Sequence, residues 1–141
     1  IDPIPLPASQ AVGVVLYIED NTSNVQLMQQ LLRRRPGVDL VHAATGGEGV
    51  ALVRERRPDL VFLDLHLPDI HGEEVLRQIW SDPVLRPIPV AILTADATPG
   101  QKRRLLASGA SAYLTKPFDI REVMRIIDRV LERGAGAQAP S

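Results

Sequence analysis

Residues 60–72 read LVFLDLHLPDIHG. Leu60, Val61, Phe62 and Leu63 are apolar without alternation, which fits a short strand buried on both faces, as strands of parallel sheets are. The run ends in Asp64, and a loop containing Pro68 follows. A carboxylate at the end of a buried strand is costly unless something nearby offsets its charge. The fold and the function both turn on what the rest of the chain brings to that point.

Working outward, further apolar, β-branched-rich runs occur at VGVVLYI (12–18), VDLVH (38–42), PVAILT (89–94) and SAYLT (111–115), with DLVFLD (59–64) third in order. Between them the apolar spacing is helical. Val25, Met28, Leu31 and Leu32 mark a first helix, Val50 and Val53 a second, and Val75, Leu76, Ile79 and Trp80 a third. Leu105 and Leu106 mark a fourth, and Val123, Ile126, Ile127, Val130 and Leu131 a fifth. Thr45 with Glu48 and Asp119 with Glu122 have capping-box spacing. Thr98-Pro99 reads as an N-cap followed by proline at the first helical position, and Gly109 and Gly134 stand where helices should stop. Five β–α units in this order predict a single doubly wound (βα)5 sandwich of flavodoxin-like type, an α/β fold with a parallel sheet of order 2-1-3-4-5.

Bulk properties agree. The 141 residues are 45% hydrophobic and 23% charged, ordinary values for one globular domain. A net charge of −1 gives no global footprint for nucleic acid or an anionic membrane. The absence of cysteine excludes a disulfide scaffold, a thiol nucleophile and Cys-ligated metal, and no apolar run approaches a membrane span. A cytoplasmic location is expected. The Pro-rich head, residues 1–11, reads as a linker rather than a signal peptide, residues 12–133 as the domain, and residues 134–141 as a flexible tail.

In doubly wound sheets, ligands sit outside the carboxyl ends of the strands. Those ends carry Glu19-Asp20 after strand 1, Asp64 after strand 3, Thr94 after strand 4 and Lys116-Pro117 after strand 5. Strands 1 and 3 are neighbours in the expected order, so Asp20 and Asp64 converge and repel unless a cation intervenes. Carboxylates with waters and a phosphate form the usual setting for Mg2+, and a lysine and a hydroxyl suit the remaining phosphate oxygens. Asp64 is then readable as a nucleophile whose charge is offset by metal and lysine.

This constellation resembles the receiver domain of two-component response regulators, over about residues 12–132. The resemblance rests on YIEDN with its acidic pair, DLHLPDIHG with the accepting aspartate, ILTA with the switch hydroxyl, and YLTKPF with the lysine and an aromatic three residues before it. It implies that Asp64 takes a phosphoryl group from the phosphohistidine of a histidine kinase or histidine phosphotransfer domain. It implies Mg2+ held by Asp20, Asp64 and the backbone carbonyl of His66, with Glu19 acting through water. Lys116 pairs with the phosphoryl group and Thr94 hydrogen-bonds to it. Tyr113 follows by changing rotamer, which reshapes the face made by helix 4, strand 5 and helix 5. A Lys116-Pro117 cis bond is frequent in the family. Such a domain promotes its own phosphorylation and dephosphorylation without being a kinase. With a short tail after helix 5, the chain is expected to be the C-terminal receiver of a hybrid sensor histidine kinase, or else a single-domain regulator.

His66, two residues past Asp64, faces the expected phosphoryl pocket, and Asp96, two residues past Thr94, approaches it from the other side. Both are candidates to set the lifetime of the phosphorylated state. His42 reads as a partly exposed strand-end residue and His71 as a turn residue. The clusters RRR (33–35) and RERR (54–57) fall near helix C-termini and read as solvated ends that complement the dipole; KRR (102–104) lies inside helix 4, where a partner could read it. Three other readings compete. A cobalamin-binding domain shares the D-x-H spacing of Asp64 and His66, but Asp69 stands where its motif has glycine. A haloacid-dehalogenase-type phosphatase needs a second aspartate where His66 stands. A docking-only pseudo-receiver leaves the full set of acidic, hydroxyl and lysine residues without a purpose.

Overall fold

Each of the five apolar runs forms a strand and each helical pattern a helix: β1 (Gly13–Ile18), α1 (Thr22–Leu32), β2 (Val38–Ala43), α2 (Gly46–Arg56), β3 (Leu60–Leu63), α3 (Gly72–Trp80), β4 (Val90–Thr94), α4 (Pro99–Ala107), β5 (Ala112–Thr115) and α5 (Ile120–Gly136). The computed structural model describes residues 11–95, 98–117 and 119–136. All strand pairs are parallel and the order is β2-β1-β3-β4-β5. This is the flavodoxin-like (βα)5 fold expected from the alternation of periods. Ile18 is in register with Leu63, so the residues that follow these strands emerge side by side.

Strand alternation divides the core into two layers. Val15 and Tyr17 of β1, Leu60 and Phe62 of β3, and Ala91 and Leu93 of β4 pack with Val25, Met28 and Leu31 of α1 and Val123, Ile127 and Leu131 of α5. Leu16, Ile18, Val61, Leu63, Val90 and Ile92 face the other way, onto Val50 and Val53 of α2, Val75, Leu76 and Ile79 of α3, and Leu105 of α4. Every residue of β3 and β4 is buried, which is why those runs show no polar alternation.

The helix starts follow the caps read from sequence. Thr45 Oγ1 accepts from the Glu48 N–H at 3.1 Å, and Glu48 Oε1 reaches back to the Ala44 N–H at 2.8 Å. Thr98 Oγ1 accepts from Gln101 N–H, with Pro99 at the start of α4, and Asp119 Oδ1 accepts from the Arg121 N–H at 3.0 Å. Gly109 ends α4 at φ +114°, and a Cβ there would stand 2.5 Å from the Trp80 ring.

Two of the residues that mark helices lie off the core, and two expectations need correction. Trp80 is 43% exposed and Leu106 39% exposed: Trp80 closes the last turn of α3, where the buried stripe has rotated outward, and α4 presents only Leu105 to the core. The cluster 33–35 lies beyond the end of α1, and Arg35 is no solvated helix end. It is buried, with Nε 2.7 Å and Nη2 2.8 Å from the two carboxylate oxygens of Asp128 on α5. A guanidinium fork matched to a carboxylate is the geometry that makes such burial tolerable. Finally, α5 runs through Gly134 to Gly136. Gly134 thus stands inside the helix, at the ordinary cost of glycine there, about 1 kcal/mol relative to Ala.

Candidate functional site

The carboxyl ends of β1, β3, β4 and β5 bring Glu19, Asp20, Asp64, Thr94 and Lys116 to one rim. Ligand oxygens of Glu19, Asp20 and Asp64 all lie within 4.8 Å of one another. Asp20 is exposed, whereas Glu19 and Asp64 are buried. Lys116 Nζ donates to Glu19 Oε1 and stands 3.5 Å from Asp64 Oδ1. The lysine is placed by the backbone, since its N–H donates to the Thr94 carbonyl at 2.8 Å, and the Lys116-Pro117 peptide is cis. Thr94, the last residue of β4, has no exposed surface.

Three carboxylates face one ammonium, and the electrostatics show it. Burial, then the charge of Glu19, push the Asp64 carboxyl up to about 6, against the pull of Lys116. Burial also acts to raise Glu19, but the hydrogen bond and charge of Lys116 outweigh it and hold Glu19 below the usual carboxylate range. The anionic charge therefore settles on Glu19, and Asp64 is the strained member of the pair.

This donor set fits a small divalent cation: hard carboxylate oxygens, one of them solvent-facing, gathered at a charge density that favours a cation's arrival. Two neighbouring interactions hold the frame. The Asp64 N–H donates to the Ile18 carbonyl at 3.0 Å. Gly72 N–H bonds the Leu65 carbonyl at 2.8 Å, and a Cβ on Gly72 would stand 2.5 Å from the Asp64 carbonyl oxygen. Only glycine permits the start of α3 to lie this close to the aspartate loop.

Several participants escaped the sequence reading. Glu19 Oε1 also accepts from the Tyr17 hydroxyl at 3.1 Å and from Asn24 Nδ2 at 3.0 Å, while Asn21 N–H reaches Oε2 at 3.3 Å. Burial and the neighbouring Glu19 charge raise the Tyr17 phenol, so it is a fixed donor. Strand parity could have found Tyr17, because residues two apart share a face. Asp69 tethers α2 by accepting from the Gly46 and Gly47 N–H groups at 2.8 and 2.9 Å, which lower its pKa and explain a carboxylate where the cobalamin motif has glycine.

The remaining candidates separate. His66 is exposed, with its ring edge-on to His71 at 5.9 Å. His71 is the N-cap of α3, accepting from Glu73 N–H, and His42 contacts the Glu19 carbonyl at 2.7 Å through Nε2. Tyr113 is half-buried and donates to Gln101 Oε1 of α4 at 2.5 Å. Asp96 lies outside the described residues. In the KRR cluster, Arg104 is bound to Glu73 of α3 rather than free. A groove of about 710 Å³ between α3 and α4, lined by Leu76, Trp80 and Leu105, lies away from the acidic rim.

Comparison with known proteins agrees with this geometry. The response regulator receiver domain model matches residues 15–128. The polar-differentiation response regulator DivK of Brucella anthropi is 35% identical over 117 residues, covering 83% of this chain and 94% of that protein. Among solved structures, the signal receiver domain of a Luxo repressor protein from Vibrio parahaemolyticus superposes with a TM-score of 0.81 at 30% identity, over 90% of this chain and 95% of that one. The receiver domain of a sensor histidine kinase from Pseudomonas aeruginosa, which holds a magnesium ion in its active-site cleft, gives 0.76 at 31% identity over 86% and 99%. The chain belongs to the response regulator receiver family, the phosphoryl-accepting modules of two-component signalling.

Proposed function

We propose that Asp64 is the phosphorylation site, and that the observation carrying this is its placement: a buried carboxylate destabilised as an anion, beside two others within 4.8 Å and 3.5 Å from an ammonium. One Asp64 oxygen forms a bond to phosphorus as the P–N bond of a donor phosphohistidine breaks, and the imidazole nitrogen keeps the electron pair. The donor is a histidine kinase or a histidine phosphotransfer domain. Asp20, Asp64 and the His66 carbonyl would hold Mg2+, which when bound would offset charge on the phosphoryl oxygens. Glu19 acts on the cation through water, a role supported by its two oxygens being taken up by protein donors. Lys116 exchanges part of its contact with Glu19 for a phosphoryl oxygen, and Thr94 donates its hydroxyl to another.

The same reading gives Tyr113 a switch role. It leaves Gln101 and packs toward Thr94, which biases the face formed by α4, β5 and α5 between two arrangements. His66 and Asp96 modulate the lifetime of the phosphorylated state. The domain works in the cytoplasm, where such kinases present their phosphohistidine, and no described helix is long and apolar enough to cross a membrane.

The test is incubation with Mg2+ and a small acyl phosphate, followed by intact mass. One phosphoryl group should be added and be lost in mild base, and Asp64→Asn should abolish it. Equal labelling of the variant, or labelling that survives excess chelator, would overturn the assignment.

A further inference from the structure

Glu19 is the most heavily bonded side chain in the cleft, and two of its donors take no part in the chemistry proposed above. Tyr17 OH and Asn24 Nδ2 both bond Oε1, the same oxygen that holds Lys116. Tyr17 has no exposed surface and lies edge-on to Phe62 with ring centroids 6.4 Å apart. A leucine or phenylalanine would fill that space equally well as core. A buried phenol must instead find an acceptor, and strand alternation places Glu19 on the same side of β1, two residues on. Asn24 reaches the carboxylate from the first turn of α1, while its own N–H is capped by Asn21 Oδ1. The carboxylate is thus gripped from the strand side and from the helix side.

A glutamate side chain has three rotatable bonds, and in a cleft with three acids and one lysine several arrangements of near-equal energy are open to it. The two neutral donors select one. We propose that Tyr17 and Asn24 are positioning residues, which hold the Glu19 carboxylate in the single orientation that keeps Lys116 beside Asp64 and presents a fixed negative charge to the divalent cation. The inference rests on the reading of this cleft as the Mg2+-dependent phosphoryl site, and it predicts that part of the cation affinity resides outside the ligands themselves. Hydrogen-bond partners of this kind are worth about 10–100-fold in metal affinity when removed. Tyr17 and Asn24 share the task, so the lower end applies to each.

The experiment is a Mg2+ titration of the full chain followed by amide NMR shifts, with thermal stability measured in parallel. It needs no phosphoryl donor, so it separates cation binding from catalysis. Tyr17→Phe and Asn24→Ala should each raise the Mg2+ dissociation constant about tenfold. Phe62→Leu, which loosens the packing around Tyr17 without touching Glu19, should lower the melting temperature and leave the dissociation constant as in the parent. Parent-like affinity in both Tyr17→Phe and Asn24→Ala would overturn the positioning role while leaving the cleft as a cation site. An affinity loss in Phe62→Leu matching that of Tyr17→Phe would also overturn it, since packing would then be the cause. A parent chain whose Glu19, Asp20 and Asp64 amides do not respond to Mg2+ would overturn the reading of the cleft and this inference with it.

Discussion

Replacing Asp64 by asparagine should stabilise the metal-free protein. In the folded state, burial and the Glu19 charge raise the Asp64 carboxyl from the ordinary 3.8 to about 6. The folded state therefore binds this proton more tightly than the unfolded chain does. The ionised carboxylate costs stability at neutral pH, and the cost is relieved as pH falls through about 6 towards 4. A rise of this size corresponds to at most about 3 kcal/mol, and water entering an open cleft beside exposed Asp20 reduces it, so 1–2 kcal/mol is the expected gain for Asp64→Asn. For a domain of this length, 1 kcal/mol moves the melting temperature by about 4 °C. In chelator at pH 7.5 the variant should melt about 4–8 °C above the parent. The gap should shrink to a small remainder near pH 4, where Asp64 is protonated in the folded state and roughly half protonated in the unfolded chain. Adding Mg2+ should narrow it too, because the cation binds the folded parent more tightly than the variant. Scanning calorimetry or thermal circular dichroism reads all three. A variant no more stable than the parent at pH 7.5, or a gap that persists unchanged to pH 4, would refute the claim that the carboxylates strain the fold.

Asp128→Ala leaves the Arg35 guanidinium, 6% exposed, without its carboxylate. Removing one partner of a buried pair costs about 3–5 kcal/mol; because Asp128 is 27% exposed, a loss of about 2 kcal/mol is expected by urea denaturation. The double replacement Arg35→Met with Asp128→Leu should recover most of it, and a single variant as stable as the parent would contradict the assignment. Gly72→Ala brings a methyl group against the Asp64 carbonyl and the Leu65 backbone. It should cost about 1–3 kcal/mol and slow labelling of Asp64 at saturating Mg2+; parent-like values for both would show that the loop yields freely. His66→Ala, two residues past Asp64, should change the hydrolysis half-life of phospho-Asp64, by up to ~10²-fold if the imidazole handles the attacking water. An unchanged phosphate-release time course would reduce His66 to its contact with His71.

What could be read from the sequence was what repeats or what is local. Short apolar, β-branched-rich runs and apolar spacings of three to four residues located all ten elements, because each strand and helix must bury a face. The acidic pair, Asp64, Thr94 and Lys116 were found because parallel strands end at one rim, so position along a strand converts directly into position in space. Caps were legible for a similar reason: Thr45, Thr98 and Asp119 bond N–H groups only two or three residues away. The failures are of two kinds. Arg35 and Asp128 are 93 residues apart, and nothing local distinguishes a buried guanidinium from the exposed arginines beside it. The stop expected at Gly134 failed because helix ends are set by packing and by the next turn rather than by residue type.

Glu19 lies between these cases, and it changes how the site should be understood. Its place beside Asp20 was readable, and its expected role was a distant one, through water. The structure also makes it a hub: Tyr17, Asn24, the Asn21 N–H and Lys116 all converge on one buried carboxylate. Because that carboxylate stays ionised, its charge falls on Asp64. Because it holds Lys116, the ammonium that could relieve Asp64 stands 3.5 Å off rather than in full contact. A cation and a phosphoryl group arriving together answer both conditions, the first by offsetting the crowded carboxylates and the second by offering Lys116 a better partner. The strain at Asp64 thus comes first from burial and then from Glu19, and a chain that released Glu19 would ease the second part while losing its claim on the cation.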